Sequence, residues 1–84
     1  MKEMTFGSIG VRPLGRAGIE YRDESRKMVV DGEPQFGRFN YTVFVSSIGI
    51  WEDTGLAATE EERKQIIENI RRVFMHNGLA VEFC

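Results

Sequence analysis

The sequence predicts an α+β fold of two layers: a small mixed or antiparallel sheet of four to five strands with one α-helix, over residues 59–77, packed on one face. Three observations predict it. An apolar stripe recurs at helical spacing behind a capping motif, short stretches on either side of it alternate with period two, and a polar turn joins two of those stretches into a hairpin. At 84 residues, 42% apolar, with nine Gly and two Pro, residues 1–84 form a single domain. A domain of this size buries only about 60% of the surface its unfolded chain exposes, which argues for a shallow surface function over a deep active site.

In chain order, "MTFGSIGV" is a candidate strand weakened by its glycines. Ile19 and Tyr21, then Met28 and Val30, flank "RDESRK", a hairpin with a polar turn of roughly four to six residues. A third strand spans Phe39 to Ser47. At Thr59 the run "TEEE" forms a capping box in which the Thr hydroxyl accepts from an orphan amide while Glu62 reaches back. Glu60, Glu61 and Glu62 complement the positive end of the helix dipole, Arg71, Arg72 and His76 the negative end, and Gly78 supplies the left-handed stop. Ile66, Ile67, Ile70, Val73 and Phe74 fall in one arc of about 120°, so that face must be buried. Arg63 projects into the same arc, with its stem packed and its guanidinium at the rim, while Met75 points to solvent. Leu79, Val81 and Phe83 alternate with Ala80, Glu82 and Cys84 in a final strand, expected parallel to the third. The sheet face away from the helix is expected to carry Val29, Phe44, Ala80 and Cys84. Phe6, Ile9 and Val11 of the amino-terminal segment are the candidates to cover it.

A formal charge of −2 on intermixed acids and bases provides no field for general nucleic-acid binding. The single cysteine, Cys84, allows neither an internal disulfide nor a thiolate metal site. "MKEMTFGSIG" lacks the apolar core of a signal peptide, and no run reaches membrane-spanning length, so the expectation is a cytoplasmic protein without membrane contact.

No motif identifies a reaction. "DTG", Asp53 to Gly55, is the triplet of aspartic proteases, but Glu52 precedes it and a helix follows within a few residues, where a paired-carboxylate site needs apolar strands on both sides. "GSIG" and "GRAG" match the glycine loop of KH domains without the flanking helices, and read as turns. His76 in a last helical turn is a dipole partner before it is a base, and no nucleophile is assigned to it. One His and one Cys make no standard metal site. The expectation is a protein with no catalytic residues, metal or cofactor.

Trp51, the only Trp, stands between a strand and the helix. There its ring can close the end of the core or anchor an interface. Glu52 and Asp53 beside it, with Glu60 and Glu61, form an acidic surround suited to a basic protein partner. Trp51, Glu52, Asp53, Glu60 and Glu61 are therefore the predicted partner-binding residues. Self-association through the open sheet face or an edge strand, with Val29, Phe44 and Cys84, is the alternative and would make a homodimer.

At "IEYRDESRKMVVDGE", "YTVFVSSIGIWED" and "TEEERKQIIENIRRVF" the chain resembles a family of small bacterial immunity proteins of polymorphic toxin systems. The features shared from Ile19 onward are a charged hairpin, an aromatic strand leading into "IGIW" at Ile48 to Trp51, a capped helix and a short last strand. The resemblance implies a non-enzymatic protein that neutralises a cognate toxin domain. Such toxins are often nucleases with basic grooves, for which an acidic surface would mimic the substrate. "GSIGVRPLGRAG" has no counterpart in that pattern.

Overall fold

The computed structural model describes residues 3–15 and 18–84. Among the described residues seven short strands and one α-helix appear in the order β1 (Met4–Phe6), β2 (Ile9–Pro13), β3 (Ile19–Asp23), β4 (Arg26–Val30), β5 (Gly32–Pro34), β6 (Tyr41–Val43), α1 (Glu60–His76) and β7 (Val81–Phe83). The class is α+β with one helix. The strands form two sheets instead of one: an antiparallel sheet β1-β2-β3-β4 and a mixed sheet β5-β6-β7.

The glycine-rich start contributes a full hairpin, β1 and β2, because Gly7 takes a left-handed φ of 61° in the turn between them. Arg16 and Ala17 of "GRAG" lie outside the described residues. The charged hairpin pairs Ile19 with Val30 and Tyr21 with Met28, as the alternation predicts. Its turn is tighter than expected. Only Glu24 and Ser25 lie between the strands, and Glu24 adopts a left-handed φ of 50°, so Asp23 and Arg26 face each other at the last rung.

The expected strand from Phe39 to Ser47 is cut to Tyr41–Val43 and followed by a 3₁₀ turn, Val45–Ser47. The Ser47 hydroxyl explains the break. It donates to the Phe44 carbonyl at 2.6 Å and accepts from the Asp31 amide at 2.8 Å, offering the backbone a local alternative to the ladder. Arg63 then uses its guanidinium to bond the carbonyls of Ile48 and Val45, at 3.2 Å for the latter. The expected parallel pairing after the helix is present, with Tyr41, Thr42 and Val43 opposite Val81, Glu82 and Phe83.

Helix α1 starts on a complete capping box: Glu62 N–H donates to Thr59 Oγ1 at 3.1 Å, and Thr59 N–H donates to Glu62 Oε1 at 2.9 Å. Its buried residues, Ile66, Ile70, Val73 and Phe74, are four of the five predicted, and Ile67 packs partly buried against the same core. One cluster joins them to Met4, Val11, Ile19, Tyr21, Met28 and Val30 of the first sheet, Tyr41 and Val43 of the second, and Ile48 and Trp51 of the connecting loop.

The amino-terminal segment does not cover the far face of the sheet. Met4 and Val11 turn into the common core, and the Phe6 ring packs at a tilt against His76, with ring centroids 5.0 Å apart. The far side of the first sheet instead carries cross-strand ion pairs, Glu3 with Arg22 at 2.8 Å and Arg12 with Glu20 at 3.3 Å. Val29 is exposed among these charges, Cys84 is exposed, and Phe44 and Ala80 are half-buried. The expected apolar open face is therefore replaced by a charged one.

Candidate functional site

The connection from Ile48 to Thr59 is a braced loop built around Trp51. The Trp51 amide donates to the Leu56 carbonyl at 2.9 Å, and the Gly55 amide donates back to the Trp51 carbonyl at 2.8 Å, closing a turn that needs the left-handed φ of 73° at Gly55. The Ala58 amide donates to the Gly49 carbonyl at 2.6 Å, and Ile50 and Ala57 bridge across the loop. The loop also seals the outer edge of β4: Glu52 N–H donates to the Lys27 carbonyl at 2.8 Å, and the Lys27 amide donates to Asp53 Oδ1 at 2.7 Å. An edge that would otherwise template another strand is thereby closed.

Of the two roles left open for Trp51, the structure assigns the interior one. The ring is 3% exposed, lies 6.3 Å from the Tyr21 ring and is covered from outside by Arg26, whose guanidinium carbon sits 4.1 Å from the ring centroid. The expectation that Trp51 itself meets a partner is corrected: a large apolar ring next to the Tyr21 core position gains more from burial than from exposure. Asp53 is likewise committed in part, its Oδ1 acting as a cap for β4. Glu52, Glu60 and Glu61 are exposed as expected, and among the described residues their one ion pair is a long 4.0 Å contact from Glu60 to Arg63.

Between Trp51 and the helix start runs a chain of polar contacts. Arg26 donates from Nη1 to Glu62 Oε2 at 2.6 Å and from Nε to Asp23 Oδ1 at 3.2 Å. Asp23 Oδ2 accepts from the Tyr21 hydroxyl at 2.8 Å; that hydroxyl accepts from Asn69 Nδ2 at 2.9 Å, and Asn69 Oδ1 accepts from Gln65 Nε2 at 2.9 Å. Burial drives the Tyr21 phenol far above its ordinary pKa; the Asn69 bond opposes this and the Asp23 carboxylate adds to it. Glu62 is held below the usual carboxylate range, first by the Thr59 amide, then by the Arg26 guanidinium. The Trp51 indole nitrogen, fully enclosed, has no hydrogen-bond partner among the described residues.

These groups surround a cleft of about 270 Å³ between the β3–β4 turn and the first turns of α1, lined by Asp23, Arg26, Glu61, Glu62, Gln65 and Ile66. Reading the sequence missed Asp23 and Arg26 as site residues. Their one local signal is their position on either side of a hairpin turn, which becomes a contact only once the register is known. It also missed Ile50 and Leu56, which are 57% and 66% exposed on the braced loop. Among the described residues no group of three or more His, Cys, Asp or Glu is placed to hold a metal ion, and no helix is long and apolar enough to cross a membrane. Comparison of the chain with known protein families, with curated proteins and with solved structures gives no match.

Proposed function

We propose that the chain is a non-enzymatic protein-binding module that offers the Ile50–Leu56 loop and the start of α1 to a basic protein partner, and that it acts as an immunity protein neutralising a cognate toxin domain in the cytoplasm. The observation that carries the binding reading is that a loop braced by backbone hydrogen bonds exposes two large apolar side chains, Ile50 and Leu56, together with Glu52, and runs into the helix start that exposes Glu60 and Glu61. Apolar anchors in an acidic surround are the pattern expected of a surface that gains affinity from burial and association rate from charge. A braced loop also loses little conformational freedom on binding. The immunity role itself rests on the family resemblance from Ile19 onward. Self-association through Val29, Phe44 and Cys84 has less support, because Val29 lies on the first sheet among ion pairs while Phe44 and Cys84 belong to the second, so the three do not form one apolar face.

The test is a titration of the protein against purified basic proteins encoded beside its gene. Binding should be tight, should slow in association as salt rises, and should weaken at least tenfold when Leu56→Asp is combined with Glu61→Lys. Affinity unchanged by those substitutions would overturn the assigned surface. Absence of any binding neighbour, together with no protection against a neighbouring toxin, would overturn the immunity role.

A further inference from the structure

We propose that the outer edge of β7 is a strand-addition site for an extended segment of a protein partner, one that carries a lysine or arginine opposite Glu82. The sheets β1-β2-β3-β4 and β5-β6-β7 have four edges between them, and three are blunted. On β4 the Lys27 carbonyl and amide are taken by the Glu52 amide and by Asp53. On β1 the Thr5 carbonyl accepts from Asn77 Nδ2 at 3.4 Å. On β5 the Gly32 carbonyl accepts from the Gly18 amide at 2.9 Å, and Pro34 has no N–H to offer. β7 has no such device among the described residues. In its parallel ladder with β6 the Cys84 amide donates to the Val43 carbonyl at 2.9 Å, and the Cys84 carbonyl accepts from the Val45 amide at 2.8 Å. Cys84, and by the two-residue repeat Glu82, therefore bond toward β6. The N–H and C=O of Val81 and Phe83 point the other way, unpaired among the described residues. Such a row is a template for another strand.

Alternation decides what that strand must carry. Val81 and Phe83 pack against the common core, so Glu82 projects from the opposite face of the sheet. There it stands in register with Thr42 and Glu33, a row that crosses all three strands. Glu82 Oε1 accepts from Thr42 Oγ1 at 3.2 Å, and neither Glu82 nor Glu33 has an ion pair among the described residues. A residue added opposite Glu82 extends this row, where a cation is favoured and a carboxylate opposed. Apolar residues on either side of that cation continue the half-buried face of Val81 and Phe83. A second copy of this chain does not fit. The antiparallel register in which both copies use Val81 and Phe83 sets Glu82 directly against Glu82, a like-charge pair. Centring the pairing on Val81 avoids that clash but puts Phe83 opposite Leu79, whose amide already donates to the Phe74 carbonyl at 2.9 Å. The occupant is therefore a cation-bearing segment of another protein, held by backbone hydrogen bonds and selected at Glu82.

The experiment titrates the intact protein with a blocked pentapeptide, threonine-valine-lysine-valine-threonine, followed through the backbone amide resonances. Controls are the same peptide with glutamate in place of lysine and the same peptide N-methylated at both valines. Expected are saturable, millimolar downfield shifts of the Val81 and Phe83 amides, with slower hydrogen exchange at both. The glutamate peptide should bind about threefold more weakly, Glu82→Lys should reverse that preference, and N-methylation should abolish the shifts. Absence of shifts at Val81 and Phe83, equal shifts from the N-methylated peptide, or no preference between the two charges in the parent protein would each overturn the site. Val81 and Phe83 amides that become protected with rising protein concentration and no peptide would assign the edge to a second copy instead, and overturn it as well. Because the inference does not use the Ile50–Leu56 loop, its failure removes the edge site alone, whereas the titration with basic proteins decides the docking loop.

Discussion

The guanidinium of Arg26 lies over the ring of Trp51, 4.1 Å from its centroid, and ties the β3–β4 hairpin to both the braced loop and the helix through Glu62. Because Trp51 is the only Trp, its fluorescence reports this contact without ambiguity. Arg26→Ala should cost about 1 kcal/mol, since the side chain is partly exposed and its ion pairs are screened, and should shift the Trp51 emission to the red as water reaches the ring. Arg26→Lys should recover only part of the stability, because an ammonium keeps the charge but loses the flat stack and the forked donors. Emission unchanged in Arg26→Ala would refute the cover.

The helix stripe gives a sharper contrast in stability. Ile70 is fully buried in the common core, whereas Met75 on the opposite side is 67% exposed. Ile70→Ala should cost about 2–5 kcal/mol through the cavity it leaves, and Met75→Ala under about 0.5 kcal/mol. Chemical denaturation of the two variants checks this; comparable losses would mean that the helix is covered on both sides.

Gly32 and Gly49 should respond oppositely to alanine. A Cβ at Gly32 would lie 2.5 Å from both the Thr42 carbonyl oxygen and Tyr41 Cε1, whereas at Gly49 its nearest neighbour would be the Ser47 carbonyl oxygen at 3.9 Å. Gly32→Ala should therefore destabilise by about 1–3 kcal/mol. Gly49→Ala should be neutral or stabilise by up to about 1 kcal/mol through a less flexible unfolded chain. Thermal unfolding separates the two, and a stable Gly32→Ala protein would show that β5 and β6 do not meet this closely.

Acid should loosen the helix start. Because Glu62 titrates below its ordinary value of 4.5 in the folded protein, the folded state binds fewer protons than the unfolded one in that region. Its contribution is complete above 4.5 and disappears as pH falls through the lower folded value. Stability measured as pH falls below about 4.5 should decline less steeply in Glu62→Gln than in the parent. Identical slopes would mean that Arg26 and the Thr59 amide do not favour the ionised carboxylate.

Helix α1, its capping box and its buried stripe were legible because their causes are local: Thr59 and Glu62 are three residues apart, and Ile66, Ile70 and Phe74 recur at the helical period. The β3–β4 pairing and the parallel return of β7 were legible for a similar reason, since alternation specifies which residues face the core and chain order limits which strands can meet. The break between β4 and β5 at Asp31 was decided instead by Ser47, sixteen residues away, whose hydroxyl takes the Asp31 amide. The place of Trp51 was likewise a tertiary outcome. Local patterning was enough to bring a Trp and several acids together beside a helix start. Only the folded chain could turn the ring inward under Arg26, commit Asp53 to the edge of β4 and leave Ile50 and Leu56 outside. The physical reason is separation along the chain: Arg26 and Glu62 stand 36 residues apart, and a contact of that span carries no periodicity or propensity by which it could be read before the strands and helix are in place.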